Sequence, residues 1–171
     1  MAIGAVAQGL ENGLAANAIA PNFTASASDG KTYTLKSLTG NGPAFFYFLK
    51  DSCSANPYAV KYFNRLYNAY KGKVAFYALT DYNKSGYAGF VKEYQAPYVG
   101  ILDPQRSVIH SYNVHHSQTV MLVGQDGKVV KTFKGFGKTA LAELNASLAQ
   151  VAKTDIQKVD FSGAPSGVAY G

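Results

Sequence analysis

The 171-residue chain has a single cysteine, no block of like charge and no apolar stretch long enough for a bilayer, and each shortage removes a class of protein. One thiol cannot close an intramolecular disulfide, so the fold does not depend on an oxidising compartment. Gly and Pro interrupt the apolar segments well before the roughly 20 residues a membrane helix requires, which leaves no membrane partner to expect. Sixteen Lys and Arg against ten Asp and Glu give a formal charge of +6, but the basic residues are scattered instead of striped. That pattern argues against a nucleic-acid partner. The opening MAIGAVAQGL lacks a basic region before its apolar part and is diluted by Gly and Ala, so it reads poorly as a secretory signal and the cytoplasm is favoured. No internal repeat is visible.

What is present is a sequence of short periodic segments. Residues 1–20 are rich in Ala and Gly, with Ile3, Val6, Leu10 and Leu14 near helical spacing, so a short amphipathic helix is expected there. FTASAS and KTYTL flank an Asp-Gly pair, the signal of a hairpin, and KSLTG reads as a helical turn. AFFYFL is apolar throughout, as a strand covered on both faces should be. From Pro57 to Tyr70 the apolar residues Val60, Phe63, Leu66, Tyr67 and Tyr70 lie on one helical face, and VAFYAL then supplies a second strand. This strand-helix-strand unit predicts a right-handed crossover and a parallel pair. GYAGFVKEYQ (helix), YVGILD (strand) and RSVIHSYN (helical turns) follow, then TVMLV and KVVKTFK as a hairpin and a closing helix over Lys138–Lys153. The order implies an α/β protein whose central mixed sheet carries helices on both faces, with the first hairpin as an N-terminal extension. The expected division is 1–18 as an extension, 19–153 as the domain and 154–171 as a loosely ordered tail rich in Gly, Ser and Pro.

Over residues 19–152 the chain resembles the thioredoxin-like superfamily, and within it the redoxin or AhpC/TSA branch that includes peroxiredoxin-like antioxidant proteins. The resemblance rests on IAPNFTASASDGKTYTLKSLTG, on AFFYFLKDSCSANPYAVKYFNRLYNAYKGKVAFYALT, and on YNVHHSQTVMLVGQDGKVV, in that order. It implies a thioredoxin-like fold with Cys53 at a helix start as the nucleophile of a thiol-based oxidoreductase. The departures are equally specific. Asn56 stands where the second cysteine of a Cys-x-x-Cys pair would be, which excludes a two-electron cycle within one domain. Phe46 and Lys50 stand where typical peroxiredoxins have Pro and Thr, and Gln118 occupies the position of a cis-Pro or an Arg. A single-cysteine variant is implied, CSANPY being closest to that subset.

A thiol before a helix faces unpaired N–H groups and the positive end of the helix dipole, both of which favour thiolate. Ser54 or Asn56 is expected to cap that helix and Pro57 to occupy its first position. Lys50 adds positive charge nearby, and His115 and His116 lie in the loop that the fold brings toward the cysteine, where an imidazole could take its proton. Asp51 reads as a turn residue and Asp81 as a solvated strand end. The expected chemistry is attack on peroxide or on a partner disulfide by Cys53 alone, completed by an external thiol, small or protein-borne. No metal or organic cofactor is called for, and a homodimer is compatible with the sequence. The competing readings are a binding module that has kept the fold without catalysis, and a metal carrier using Cys53, His115 and His116.

Overall fold

The computed structural model describes residues 12–169. Five strands form one mixed sheet in the order β5-β4-β3-β6-β7, and β1 (Thr24–Ser26) pairs with β2 (Thr32–Thr34) in a separate hairpin. The central strand β3 (Ala44–Leu49) runs parallel to β4 (Ala75–Thr80), which runs parallel to β5 (Val99–Leu102). On its other side β3 is antiparallel to β6 (Thr119–Val123), which turns back into β7 (Val129–Lys134). The expected thioredoxin-like α/β architecture is therefore present, the parallel pair included.

β3 is buried at every position because both faces of the sheet are covered. Its side chains alternate: Phe45, Tyr47 and Leu49 enter one core, while Ala44, Phe46 and Phe48 enter the other. The first core lies under α2 (Asn56–Tyr70), α3 (Lys84–Tyr94) and α5 (Lys138–Ala152). The second lies under α1 (Leu35–Thr39) and α4 (Ser107–Ser111). Thr34 and Ser37 close a capping box on α1, and the Asn83 side chain accepts from Gly86 N at 2.8 Å to start α3. The hairpin shields the β5 edge through an Ala27–Ile101 bridge and the bond from Ser28 N to Gly100 O.

Two segments differ from expectation. The anticipated N-terminal helix lies partly outside the described residues, and residues 12–20 are not helical. They run as a strap beside β7, bridging Ile19 to Lys128, because their backbone groups bond across to the sheet: Asn17 N donates to Val129 O and Thr132 Oγ1 to Leu14 O. The strap passes close enough that a Cβ on Gly13, at φ +89°, would lie 2.5 Å from Thr132 Cγ2.

The C-terminal segment is not loose. Although it lacks helix and strand, Tyr62 Oη donates to Ser162 O, Arg65 Nη1 to Asp160 O, Phe136 N to Ala169 O and Lys138 N to Pro165 O. Polar side chains of α2 and α5 satisfy its backbone, so it stays on the body without regular structure. Among the described residues no helix is long and apolar enough to cross a membrane.

Candidate functional site

The connection from β3 to α2 makes two successive tight turns. Cys53 N donates to Lys50 O at 3.3 Å, and Asn56 N donates to Cys53 O at 3.2 Å. These turns hold the half-buried Cys53 just ahead of the helix. The N-cap of α2 is Ala55, which offers no capping side chain, and no acidic residue occupies the first turn. The expectation that Ser54 or Asn56 caps α2 is thus corrected: Asn56 is already helical and its amide is turned into the protein, where Lys50 O needs a donor. No acidic residue in its own first turn offsets the positive end of this 15-residue helix where it meets the thiol, although Asp51 and Glu93 line the groove beside it.

The polar contact to the sulfur comes from the loop before β6. Gln118 Nε2 lies 3.4 Å from Cys53 Sγ and 2.7 Å from Asn56 Oδ1, and Asn56 Nδ2 donates to Lys50 O at 2.9 Å. On the far side of the same amide, Tyr47 Oη donates to Gln118 Oε1 at 2.5 Å. Gln118 is fully buried and holds a left-handed backbone at φ 62°, a conformation costing a non-glycine residue roughly 1–2 kcal/mol. Its O accepts from Gly135 N at 2.9 Å, which ties the strained residue to the end of β7. The period-2 alternation of β6 places Val120 and Leu122 in the core beneath α2, and Gln118, two residues earlier, reaches the same side.

Tyr47 was read from sequence only as core. The available signal was a hydroxyl within AFFYFL, since a tyrosine buried on both sides requires a partner for its Oη. Burial, with Cys53 nearby as the next contribution, pushes the Tyr47 phenol well above its ordinary value, so it remains an O–H donor. Ser117 was also missed. It is buried, its Oγ accepts from Lys50 N at 3.1 Å, and it holds the turn ahead of the cysteine against the β6 loop.

The other expected neighbours divide. Lys50 serves the site through its backbone, its side chain being exposed. His115 and His116 are both exposed and neither lines the groove at Cys53. The His115 ring sits 2.9 Å from Asn113 Oδ1, and the backbone amides of both histidines are held by Asn12 Oδ1, which directs the loop along the N-terminal strap instead of toward the thiol. Asp51 does occupy a turn, with its N donating to Asp81 Oδ1 at 2.8 Å. Asp81 is more than a solvated strand end, because its other oxygen lies 3.8 Å from Arg106 Nε. Among the described residues no three His, Cys, Asp or Glu side chains gather in a metal-binding cluster, so the Cys53–His115–His116 arrangement of a metal carrier does not form.

On its open side Cys53 borders a groove of about 470 Å³ between the start of α2 and α3. Pro57, Tyr82, Phe90 and Tyr94 supply apolar walls, and Gly86 and Gly89 leave the α3 side low. A second sulfur approaching Cys53 from solvent would enter here.

Residues 16–132 match the model of the AhpC/TSA family. The thiol-disulfide oxidoreductase ResA of Bacillus cereus is 35% identical over 118 residues, which cover 68% of each chain. The protein of that name from Bacillus subtilis is 30% identical over 68% of this chain and 65% of its own. Among solved structures, a thiol:disulfide interchange protein from Bacteroides sp. superposes with a TM-score of 0.68 at 21% identity, covering 82% of this chain and 91% of that one. The peroxidoxin BcpB of Mycobacterium tuberculosis gives a TM-score of 0.68 at 15% identity over 83% of this chain and 99% of its own. At those identities the structures speak to the fold alone.

Proposed function

The chain belongs to the AhpC/TSA family, and from that premise we propose that it is a thiol-disulfide oxidoreductase working through Cys53 as its sole reactive thiol. The observation that carries this reading is the placement of Cys53: half-buried before an uncapped helix, contacted by an amide donor, and open on one side to a groove. The Cys53 thiolate attacks one sulfur of a partner disulfide R–S–S–R′. A Cys53–S–S–R bond forms, and R′S⁻ leaves with the electron pair of the broken bond. An external thiolate R″S⁻ then attacks the R sulfur, forms R–S–S–R″ and regenerates the Cys53 thiolate. The net reaction moves the R–S group from one thiol to another, with only S–S bonds broken and formed. The second thiol must come from outside, since Asn56 occupies the place where an internal one would stand.

Disulfides are favoured over peroxide as the electrophile by the names of the sequence relatives and by an open groove able to admit a chain segment. Peroxide chemistry is the second outcome: attack on ROOH would give Cys53–SOH and RO⁻, and a thiol would then convert the sulfenic acid to a mixed disulfide and water. The test is transfer from a cysteine-peptide mixed disulfide to a small thiol, followed with the protein and with Cys53→Ser. Acceleration that depends on Cys53 supports exchange. If neither protein accelerates transfer, exchange is overturned, and if peroxide also leaves Cys53 unoxidised the chain returns to the class of binding modules.

A further inference from the structure

The hydrogen bonds behind the thiol have a direction, and a backbone carbonyl sets it. Lys50 O can only accept, so the Asn56 atom facing it at 2.9 Å must be the amide nitrogen. Asn56 Oδ1 therefore points the other way, toward Gln118, and the Gln118 atom 2.7 Å from it must be the Nε2 donor. One Nε2 hydrogen is committed to Asn56, and the other faces Cys53 Sγ at 3.4 Å and Ser117 Oγ at 3.4 Å. At 3.4 Å the contact to Ser117 Oγ is long for an N–H···O bond, whereas the larger sulfur accepts at that distance, which makes it the better placed acceptor. The remaining atom, Gln118 Oε1, requires a donor, and the buried Tyr47 hydroxyl is that donor. Turning either amide over would set oxygen against oxygen at one of these contacts.

We propose that Asn56, Gln118 and Tyr47 form an amide relay of fixed polarity whose terminal N–H holds the Cys53 thiolate, with Gln118 as a catalytic residue and Asn56 and Tyr47 as positioning residues. The relay supplies a neutral side-chain donor to the sulfur. It explains why a polar side chain is kept fully buried and in a left-handed conformation beside the sulfur. A donor that cannot rotate away favours the anion over the thiol at every encounter. The inference deepens the proposed function and rests on it for biological meaning, but its chemistry can be tested separately.

The test is the pH–rate profile for alkylation of Cys53 by iodoacetamide, a reagent that needs no partner protein. Gln118→Met keeps the bulk and removes the donor, and Gln118→Glu replaces the donor by an acceptor. Both should move the midpoint of the profile to higher pH and slow alkylation about tenfold at neutral pH. Tyr47→Phe, which does not touch the sulfur, should move the midpoint in the same direction by less. A merely structural role would alter thermal stability and leave the midpoint in place. If Gln118→Met fails to fold, the double variant Tyr47→Phe/Gln118→Met replaces both ends of the inner bond with apolar groups and carries the same expectation. Profiles coinciding with the parent in Gln118→Met, or in the double variant, overturn the relay. A shifted profile in a protein that transfers no disulfide would instead uphold the relay and overturn the proposed function.

Discussion

Raising the pH above about 10 is expected to unfold the protein through three tyrosines that pack around the site. Tyr47 donates to Gln118, Tyr87 to Tyr98 O at 2.8 Å, and Tyr98 to Asn64 Oδ1 at 2.9 Å. Burial is the leading cause that raises each phenol above its ordinary value. The native state therefore holds these protons more tightly than the unfolded chain does. The corresponding stability is fully present below the unfolded value near 10 and is lost as the pH climbs above it toward the native values. One pH unit above that value, each tyrosine lowers stability by about 1.4 kcal/mol, and the three together by about 4 kcal/mol. A domain of this size has roughly 5–15 kcal/mol in total, so the loss is a large share. A stopped-flow jump to alkaline pH, followed by tyrosinate absorbance and far-ultraviolet circular dichroism, should give a fast phase from exposed phenols. A slow phase that coincides with loss of structure should follow. Ionisation of all thirteen tyrosines in the fast phase, with the dichroism intact, would mean that burial does not protect these phenols.

Two further perturbations address the tail and the groove. Tyr70 Oη donates toward Asn145 and accepts from Gln157 N at 3.2 Å, so Tyr70→Phe orphans two polar groups between α2 and the C-terminal segment. It should cost about 2–4 kcal/mol in urea unfolding while leaving Cys53 alkylation unchanged. At Gly89, which lines the groove, a Cβ would meet nothing within 4 Å, so the backbone admits a side chain there, and replacing a helical glycine gives up no stability; Gly89→Phe is the variant to make. It should slow reaction with a peptide disulfide about tenfold, a figure on the scale of a few poorly seated contacts. Iodoacetamide, being small, should react at the parental rate.

The sheet was legible in the sequence because its signals are local and redundant. AFFYFL has no polar alternation, and β3 indeed feeds cores on both faces. The thiol's position before a helix was legible for the same reason, since Pro57 and the apolar face that follows mark where α2 begins. Less visible was what non-local hydrogen bonds decide. Apolar spacing misled up to Leu14 and is absent after residue 153, and periodicity cannot register a backbone satisfied by side chains such as Tyr62, Arg65 and Thr132. The site was read in the same partial way. Asn56 and Gln118 were singled out as replacements for family residues, but their joint orientation depends on Lys50 O and on Tyr47, which lies 71 positions from Gln118 in the chain. His115 and His116 were drawn toward the thiol by loop order, whereas the Asn12 carboxamide holds their backbone elsewhere.

The fold is expected to make Cys53 a better nucleophile than the same residue in a disordered chain. This is tested most directly by the rate at which Cys53 attacks a small symmetrical disulfide, measured at one neutral pH in the native protein and in the protein unfolded by urea. Because the cysteine is unique, each rate belongs to one group without mutation. Attack should be faster in the native state despite partial burial of the sulfur. A native rate equal to or below the unfolded one would contradict this.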